Sequence, residues 1–346
     1  MKFDLMSAGA ELRSVQDLAR RAERGGFSGI VFTESGRSAY LSTAAAALAT
    51  ETLELSTGIA VAFPRSPMVT AVEAWELAEA SGGRFRLGLG TQVKAHIERR
   101  YSSEFAAPGP RLREYVEAVR AAFAAFAGDS KLDVSGRFYE MNLLPAQWSP
   151  GPIECGAPPI DVAAVGEWML RMAGAVADGV HVHPLNTPTY LAETVQPQVA
   201  RGAREAGRDP SEIALIVPAF TVVGDTPEEQ ERWRRMARTQ ISFYGSTPNY
   251  AFIFDQLGFE GTTAAIRERQ KAGDIAGMAE VITDEILDHF AITARWDDLS
   301  DQIVKRYGGV ADRVVSYFAA MAAHDDPTVL DRWGEVARDV VARTGG

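Results

Sequence analysis

Along most of the chain, short apolar runs alternate with stretches in which apolar residues return every third or fourth position. Runs of that length, bounded by turn residues, predict buried strands, and the longer period predicts amphipathic helices. The strand candidates are KFDLM (2–6), GIVFT (29–33), LELSTGIAVAF (53–63), RFRLGLG (84–90), PIDVAAV (159–165), GVHVH (179–183), EIALIVPAFTVV (212–223) and DHFAIT (288–293). Among the intervening helices, 111–123 is the clearest, with Leu112, Tyr115, Val116, Val119 and Phe123 on one stripe. Another, over about 67–81, opens at Ser66-Pro67 and closes at Ser81-Gly82-Gly83, a start and a stop signal. Eight strand–helix units predict an α/β fold of the (β/α)8 TIM-barrel type, with residues 1–346 forming one domain. Two stretches exceed a plain barrel: 128–158, rich in Gly, Pro and aromatics, and 240–287, a charged helical pattern. Both are expected as insertions near the active-site mouth, which barrels place at the carboxyl ends of their strands.

A doubly wound sheet is the alternative, but it calls for fewer strands and an early glycine-rich turn. SAGAEL follows the first strand, GLGTQV lacks the third glycine of a dinucleotide fingerprint, and GxxxxGK[ST] is absent. Of the 346 residues 46% are hydrophobic and 23% charged, so a large core needs no staple. A net charge of −11 argues against nucleic acid and against an anionic membrane surface. The single cysteine, Cys155, leaves no disulfide framework or cysteine-based zinc site and fits a reducing cytoplasm. MKFDLMSAG has no long apolar stretch of the signal-peptide kind.

Three stretches carry candidate chemistry. In AAVGEWMLRMAGAVADGVHVH (163–183) a strand ends at Gly166, a helix begins at once, and a second strand follows. A glycine at that handover lets an anion reach the helix N-terminus, or it merely makes a tight turn. His181 and His183 share one strand face. With no HExxH or acidic cluster nearby, no metal site is expected, and His183, nearest the strand end, is the better ligand contact. In TGIAVAFPRSP (57–67), Gly58 inside a strand suggests a bulge or close backbone approach. In GLGTQVKAHIE (88–98), two glycines end a strand ahead of Thr91, Gln92, Lys94 and His96, and small residues of this kind let backbone lie against a flat ring.

Carried by MKFDLMS, TGIAVAFPRSP, SGGRFRLGLGTQVKAHIERRY (81–101) and AAVGEWMLRMAGAVADGVHVHP (163–184), the chain resembles the luciferase-like superfamily over about residues 1–310. Within it, the resemblance is to the branch that uses the deazaflavin coenzyme F420. The resemblance implies a non-prolyl cis peptide at Gly58–Ile59, with Ala60 following, behind the deazaflavin. It implies a ring edge bordered by Gly90, Thr91 and Gln92, a phosphate seat at Ala163, Ala164, Val165 and Gly166, and a phosphate contact at His183. It also implies a homodimer.

Two departures stand out. Glu167 replaces the usual proline after the phosphate glycine, and TESGRSAY (33–40) keeps an acid, Glu34, without the histidine that relatives place after it. Reduction needs a proton as well as a hydride. The candidate donors are Glu34, Tyr40 and His96, with His183 a further one. The expected function is an F420-dependent reductase acting on an electron-poor C=C or C=N bond of a small-molecule or peptide natural-product substrate. The alternatives are an FMN-dependent monooxygenase of the same fold and a cofactor-binding protein without turnover.

Overall fold

Parallel strands close into a barrel in the order of the chain: β1 (Lys2–Ser7), β2 (Gly29–Phe32), β3 (Glu54–Thr57), β4 (Phe85–Gly90), β5 (Ile160–Ala164), β6 (Gly179–Val182) and β7 (Ala214–Val223). The structure is a computed structural model and describes residues 1–345; residue 346 of the expected domain span lies outside the described residues.

The eighth barrel strand is not the predicted one. DHFAIT contributes the end of a helix, Asp284–Phe290, and β8 (Ala291–Ala294), which pairs only with the far end of β7 through Phe220↔Ala291 to Val223↔Ala294. The barrel is closed by β9 (Arg313–Ser316), which lies between β7 and β1 with Lys2↔Arg313 and Ile216↔Arg313 in register. β7 is ten residues long and outruns the barrel, so its end needed a partner that the pattern alone could not tell from a barrel strand.

Alternation along the strands stacks the barrel interior in layers. The lowest is charged. Arg313 donates to both carboxylate oxygens of Asp4 at 2.7 Å and also pairs with Glu54, which holds Lys2. Arg86 grips Asp161 at 2.9 and 2.6 Å. Glycines make the room: a Cβ on Gly29 would stand 2.9 Å from an Asp4 oxygen, and one on Gly179 2.4 Å from an Asp161 oxygen. Above this layer Met6, Val31, Ile216 and Val315 form a small apolar plug. The larger core lies between the strands and the outer helices.

Those helices follow local signals. In the helix Pro67–Ala80, the Ser66 side chain caps Val69 N–H at 3.2 Å and Pro67 takes the first turn, while Gly82 and Gly83 follow with positive φ. The helix Pro108–Ala127 buries the predicted stripe. The stretch 128–158 is a small antiparallel hairpin, Val134–Ser135 with Glu140–Met141, and irregular chain. It is tied to the outer helices: the Glu114 carboxylate accepts from Phe138 and Tyr139 N–H at 2.7 Å, and Trp75 Nε1 donates to Gly151 O at 2.9 Å. After β7 comes the helix Pro227–Gly245, and the second stretch continues through Ala251–Asp255, Thr262–Lys271, Ile275–Glu280 and Asp284–Phe290. Among the described residues, no helix is long and apolar enough to cross a membrane.

Removing Arg313 leaves Asp4 buried and unpaired, so Arg313→Ala is expected to lose about 3–5 kcal/mol in urea unfolding. Arg343→Ala, which breaks surface pairs to Asp301 and Asp339, should stay within ~1 kcal/mol. Burial alone would raise Glu54; Arg313 and Lys2 outweigh it and hold the carboxyl below its ordinary value. Its share of the stability is therefore present above the unfolded carboxylate pKa, about 4.3, and lost as pH falls through the lower folded value. Glu54→Gln should flatten the acid limb of the stability–pH curve.

Candidate active site

β3 stops at Thr57, the Gly58–Ile59 peptide is cis, and pairing with β4 resumes at Ala60↔Leu89 and Val61↔Gly90. The Thr57 hydroxyl locks the two strands here, donating to Gly88 O at 2.8 Å and accepting from Gly88 N at 2.9 Å. The backbones approach so closely that a Cβ on Gly88 would stand 1.9 Å from Thr57 O, and one on Gly90 2.7 Å from the Ile59 side chain. The result is a shelf of Gly58, Ile59, Ala60 and Gly90 at the carboxyl ends of β3 and β4.

A carboxylate clamps this shelf from β2. Glu34 N–H donates to Ile59 O at 3.3 Å. Its carboxylate accepts from Val61 N–H at 2.7 Å and from both terminal nitrogens of Arg65 at 3.0 and 2.7 Å. Every one of these side-chain contacts uses Glu34 as an acceptor, so the geometry serves the ionised form and not a proton donor. Arg65, missed among the candidates although it stands in the quoted TGIAVAFPRSP, covers the Tyr40 ring at 4.8 Å. Burial pushes the Tyr40 hydroxyl up, the neighbouring Arg65 opposing it. That hydroxyl is enclosed beside Arg65 and Glu73. His96 is exposed on the short helix Lys94–Arg99. The structure gathers Glu34 and Tyr40 around Arg65, with His96 exposed on a separate helix.

The rest of one wall follows in order. Thr91 and Gln92 make a turn after β4, with Gln92 at φ 56° and its side chain accepting from Val93 N–H at 2.9 Å. Ala163 faces Gly90 across the β4–β5 seam, and Ala164 ends β5. The Tyr190 hydroxyl holds Val165 O at 2.5 Å. Gly166 is the N-cap of the helix Glu167–Val176 and offers no side-chain cap, so the first-turn N–H groups lack one of their usual partners. Among the described residues, no atom other than those of its chain neighbours lies within 4 Å of where a Gly166 Cβ would be. Glu167 is exposed.

His181 and His183 do share a face, and it points into the barrel. His181 lies under the shelf, with its Nε2 unpartnered and 3.9 Å from Asp161. Burial pulls its pKa down to about 4, against the pull of Asp161 and with the help of Arg86 and Arg313. His183 is half-buried at the mouth. Its Nδ1 accepts from Leu185 N–H at 3.0 Å, which assigns the proton of the neutral ring to Nε2. Burial pulls it down to about 3. Its ring meets Tyr244 at 4.8 Å and Tyr250 at 4.4 Å. Tyr244 in turn shares a 2.6 Å hydrogen bond with the Tyr317 hydroxyl, and Tyr317 packs on Phe220 at 4.7 Å. Tyr317 continues the inward series Arg313–Val315 beyond β9, and it escaped notice because that strand did. Tyr244 and Tyr250 lie in the second insertion stretch, for which sequence supplies residue types but no direction. Around the barrel, β9 stands opposite β4 and β6 opposite β2. A shelf of small residues thus faces a wall of aromatics and hydroxyls across the mouth.

The comparisons with known proteins agree with this architecture. The profile of the luciferase-like monooxygenases matches residues 2–313. An uncharacterized protein of Mycobacterium tuberculosis is 37% identical over 310 residues, 90% of this chain and 91% of that one. The 5,10-methylenetetrahydromethanopterin reductase of Archaeoglobus fulgidus is 28% identical over 291 residues, 82% of each. The structure of the coenzyme F420 dependent tetrahydromethanopterin reductase from Methanopyrus kandleri superposes with a TM-score of 0.79 at 19% identity, covering 99% of both chains, a likeness of fold.

Nitrogen NMR of the imidazoles is expected to show His183 as the neutral Nε2–H tautomer from pH 8 down to pH near 5. Since an unfolded histidine titrates near 6.5, this neutral preference contributes stability above that pH, and the contribution declines as pH falls below it. A cationic His183 at pH near 5.5 would contradict the hydrogen bond from Leu185.

Proposed function

The chain belongs to the luciferase-like monooxygenase family, and from that premise we propose an F420-dependent oxidoreductase that reduces an electron-poor C=C or C=N bond of a small organic or peptide natural-product substrate. The observation that carries it is the pairing of a flat shelf with an open helix N-terminus on the same wall. A planar ring needs a face free of large side chains, and Gly58, Ala60 and Gly90 carry none. A phosphate needs free N–H donors at the positive end of a helix, and Gly166 leaves that space empty of protein atoms. The residues present therefore fit a phosphorylated deazaflavin.

When bound, the reduced deazaflavin supplies a hydride. The chain does the rest. Glu34 and Arg65 hold the shelf rigid, and Tyr190 fixes Val165 beside the phosphate seat. Gly166 and the N–H groups behind it seat the anion, with Thr91 and Gln92 at the ring border. His183, neutral, offers an Nε2–H donor without adding charge. The F420-dependent description of the Methanopyrus protein supports the choice of cofactor. The second reading, FMN-dependent monooxygenation, has the family's own description in its favour. For the expected homodimer, Leu41, Leu48 and Val69 offer exposed apolar surface on and beside neighbouring helices.

The test is a fluorescence titration of the purified protein with F420 and, separately, with FMN. Tight binding of F420 alone supports the deazaflavin reading; preference for FMN moves the protein to the monooxygenase reading. Gly166→Asp places a good N-cap carboxylate over the phosphate seat. It should weaken the preferred cofactor by roughly tenfold or more, about 1.4 kcal/mol, without lowering the melting temperature.

A further inference from the structure

We infer that Tyr317 and Tyr244, hydroxyl to hydroxyl across the mouth from the shelf, form a proton-donating pair that seats the carbonyl oxygen of an α,β-unsaturated substrate. This deepens the reading above and rests on it for the hydride.

The argument begins from hydrogen-bond counting. Two phenols carry two O–H protons, and the 2.6 Å contact between them consumes one. Among the described residues, the only other hydrogen-bond partner of either hydroxyl is Gln240 Oε1, 3.5 Å from Tyr317, at the outer limit of a hydrogen bond. One proton is left for a ligand. Both side chains are half-buried, so the site is neither sealed nor open water. Position agrees. Tyr317 lies two residues beyond Val315 of the apolar plug and four beyond Arg313 of the charged layer, which sets it on the inward face at the top of β9. β9 stands opposite β4, whose Gly90 belongs to the shelf.

The pair is held in place. Phe220 packs on the Tyr317 ring at 4.7 Å and Phe318 at 5.2 Å. Gln240 and Tyr244 come from one face of the helix Pro227–Gly245, four residues apart, and the edge contact with His183 fixes the Tyr244 ring. Of the sequence-derived donors, Glu34 is an acceptor in the clamp, the Tyr40 hydroxyl is enclosed beside Arg65 and His96 is exposed, while His183 stands against the pair with its ring 4.8 Å from Tyr244. Burial raises the affinity of both phenols for their protons, so the pair is loaded at neutral pH.

The chemistry balances. A hydride delivered to the β-carbon of a conjugated C=C–C=O breaks the C=C π bond, whose electron pair becomes the new double bond between the α-carbon and the carbonyl carbon, and the C=O π pair moves onto the oxygen. That oxygen takes the free phenolic proton, and the resulting enol tautomerises to the saturated carbonyl compound. The phenolate left behind accepts the partner's O–H and takes a proton from water, which would be balanced by the one proton the cofactor releases to solvent after giving its hydride. The substrate has gained two hydrogens, and the pair is restored.

The test needs no substrate. 4-Nitrophenol carries an oxygen that mimics an enolate, and its absorbance reports its ionisation and its hydrogen bonds. It is titrated into the full-length protein with and without saturating F420. Wild type is expected to bind it with a shifted absorption band. Tyr317→Phe, which keeps the ring packing, should weaken that binding by roughly tenfold or more, because the lost hydrogen bond is to a charged oxygen. Tyr244→Phe should weaken it by a smaller factor, since it removes only the partner's support. F420 affinity should stay within about twofold in both variants. Failure of wild type to bind 4-nitrophenol, or equal binding by wild type and both variants, overturns the pair. Loss of binding in Tyr317→Phe in a protein that does not bind F420 upholds the pair while sinking the cofactor reading.

Discussion

The ion pair between Glu34 and Arg65 is the constraint on which the mouth of this barrel depends. Its two residues come from different strand ends, and Glu34 also fixes the backbone of the stretch that carries Arg65. The carboxylate reaches Val61 N–H and both guanidinium terminal nitrogens, while the main chain of the same residue holds Ile59 O. The shelf therefore has its geometry imposed from β2 and from the start of the helix Pro67–Ala80. A charge-assisted bidentate pair is directional as well as strong. Here that direction matters, because the surface it braces has almost no side chains of its own to lock it.

Below the shelf the interior is organised by charge. Three cations and three anions, Lys2, Arg86 and Arg313 with Asp4, Glu54 and Asp161, neutralise one another in the lowest layer. His181 sits between that layer and the shelf, kept neutral by burial. The top layer is asymmetric: glycine and alanine on β3 to β5, histidine and tyrosine on β6 and beyond β9. A flat ligand and a polar reactant are thereby given different walls of the same opening, and the second insertion supplies the half of the polar wall that the barrel lacks.

Much of this was legible in the chain. Strands β1 to β7 fall within apolar runs, and the barrel followed from their alternation with amphipathic helices. β9 did not, for a physical reason. RVVS is four residues long, and its first inward position is Arg313, whose charge is tolerated only because Asp4 and Glu54 face it. Patterning reads an arginine as exposed, and its partners lie hundreds of residues away. DHFAIT misled in the opposite sense, since β8 is as apolar as a barrel strand while serving only to cover the overhang of β7. At the site, the glycine positions were readable because they need no direction. The acids and phenols were not. Glu34 looked like a free carboxylate until Arg65 was seen to occupy it, and Tyr40 looked like a mouth residue until its hydroxyl proved to be enclosed.

The closing seam has a consequence for biosynthesis. Asp4 meets Arg313 across 309 positions of sequence, and β1 finds its second neighbour only when β9 arrives. At about 5–20 residues per second, synthesis leaves the first strand with one bare edge for on the order of half a minute. A nascent chain in that state presents unpaired N–H and C=O groups to any neighbouring strand, including those of other ribosomes on the same message. Asp4 on that strand, awaiting a cation not yet made, is poor company for an apolar strand and guards it through the wait.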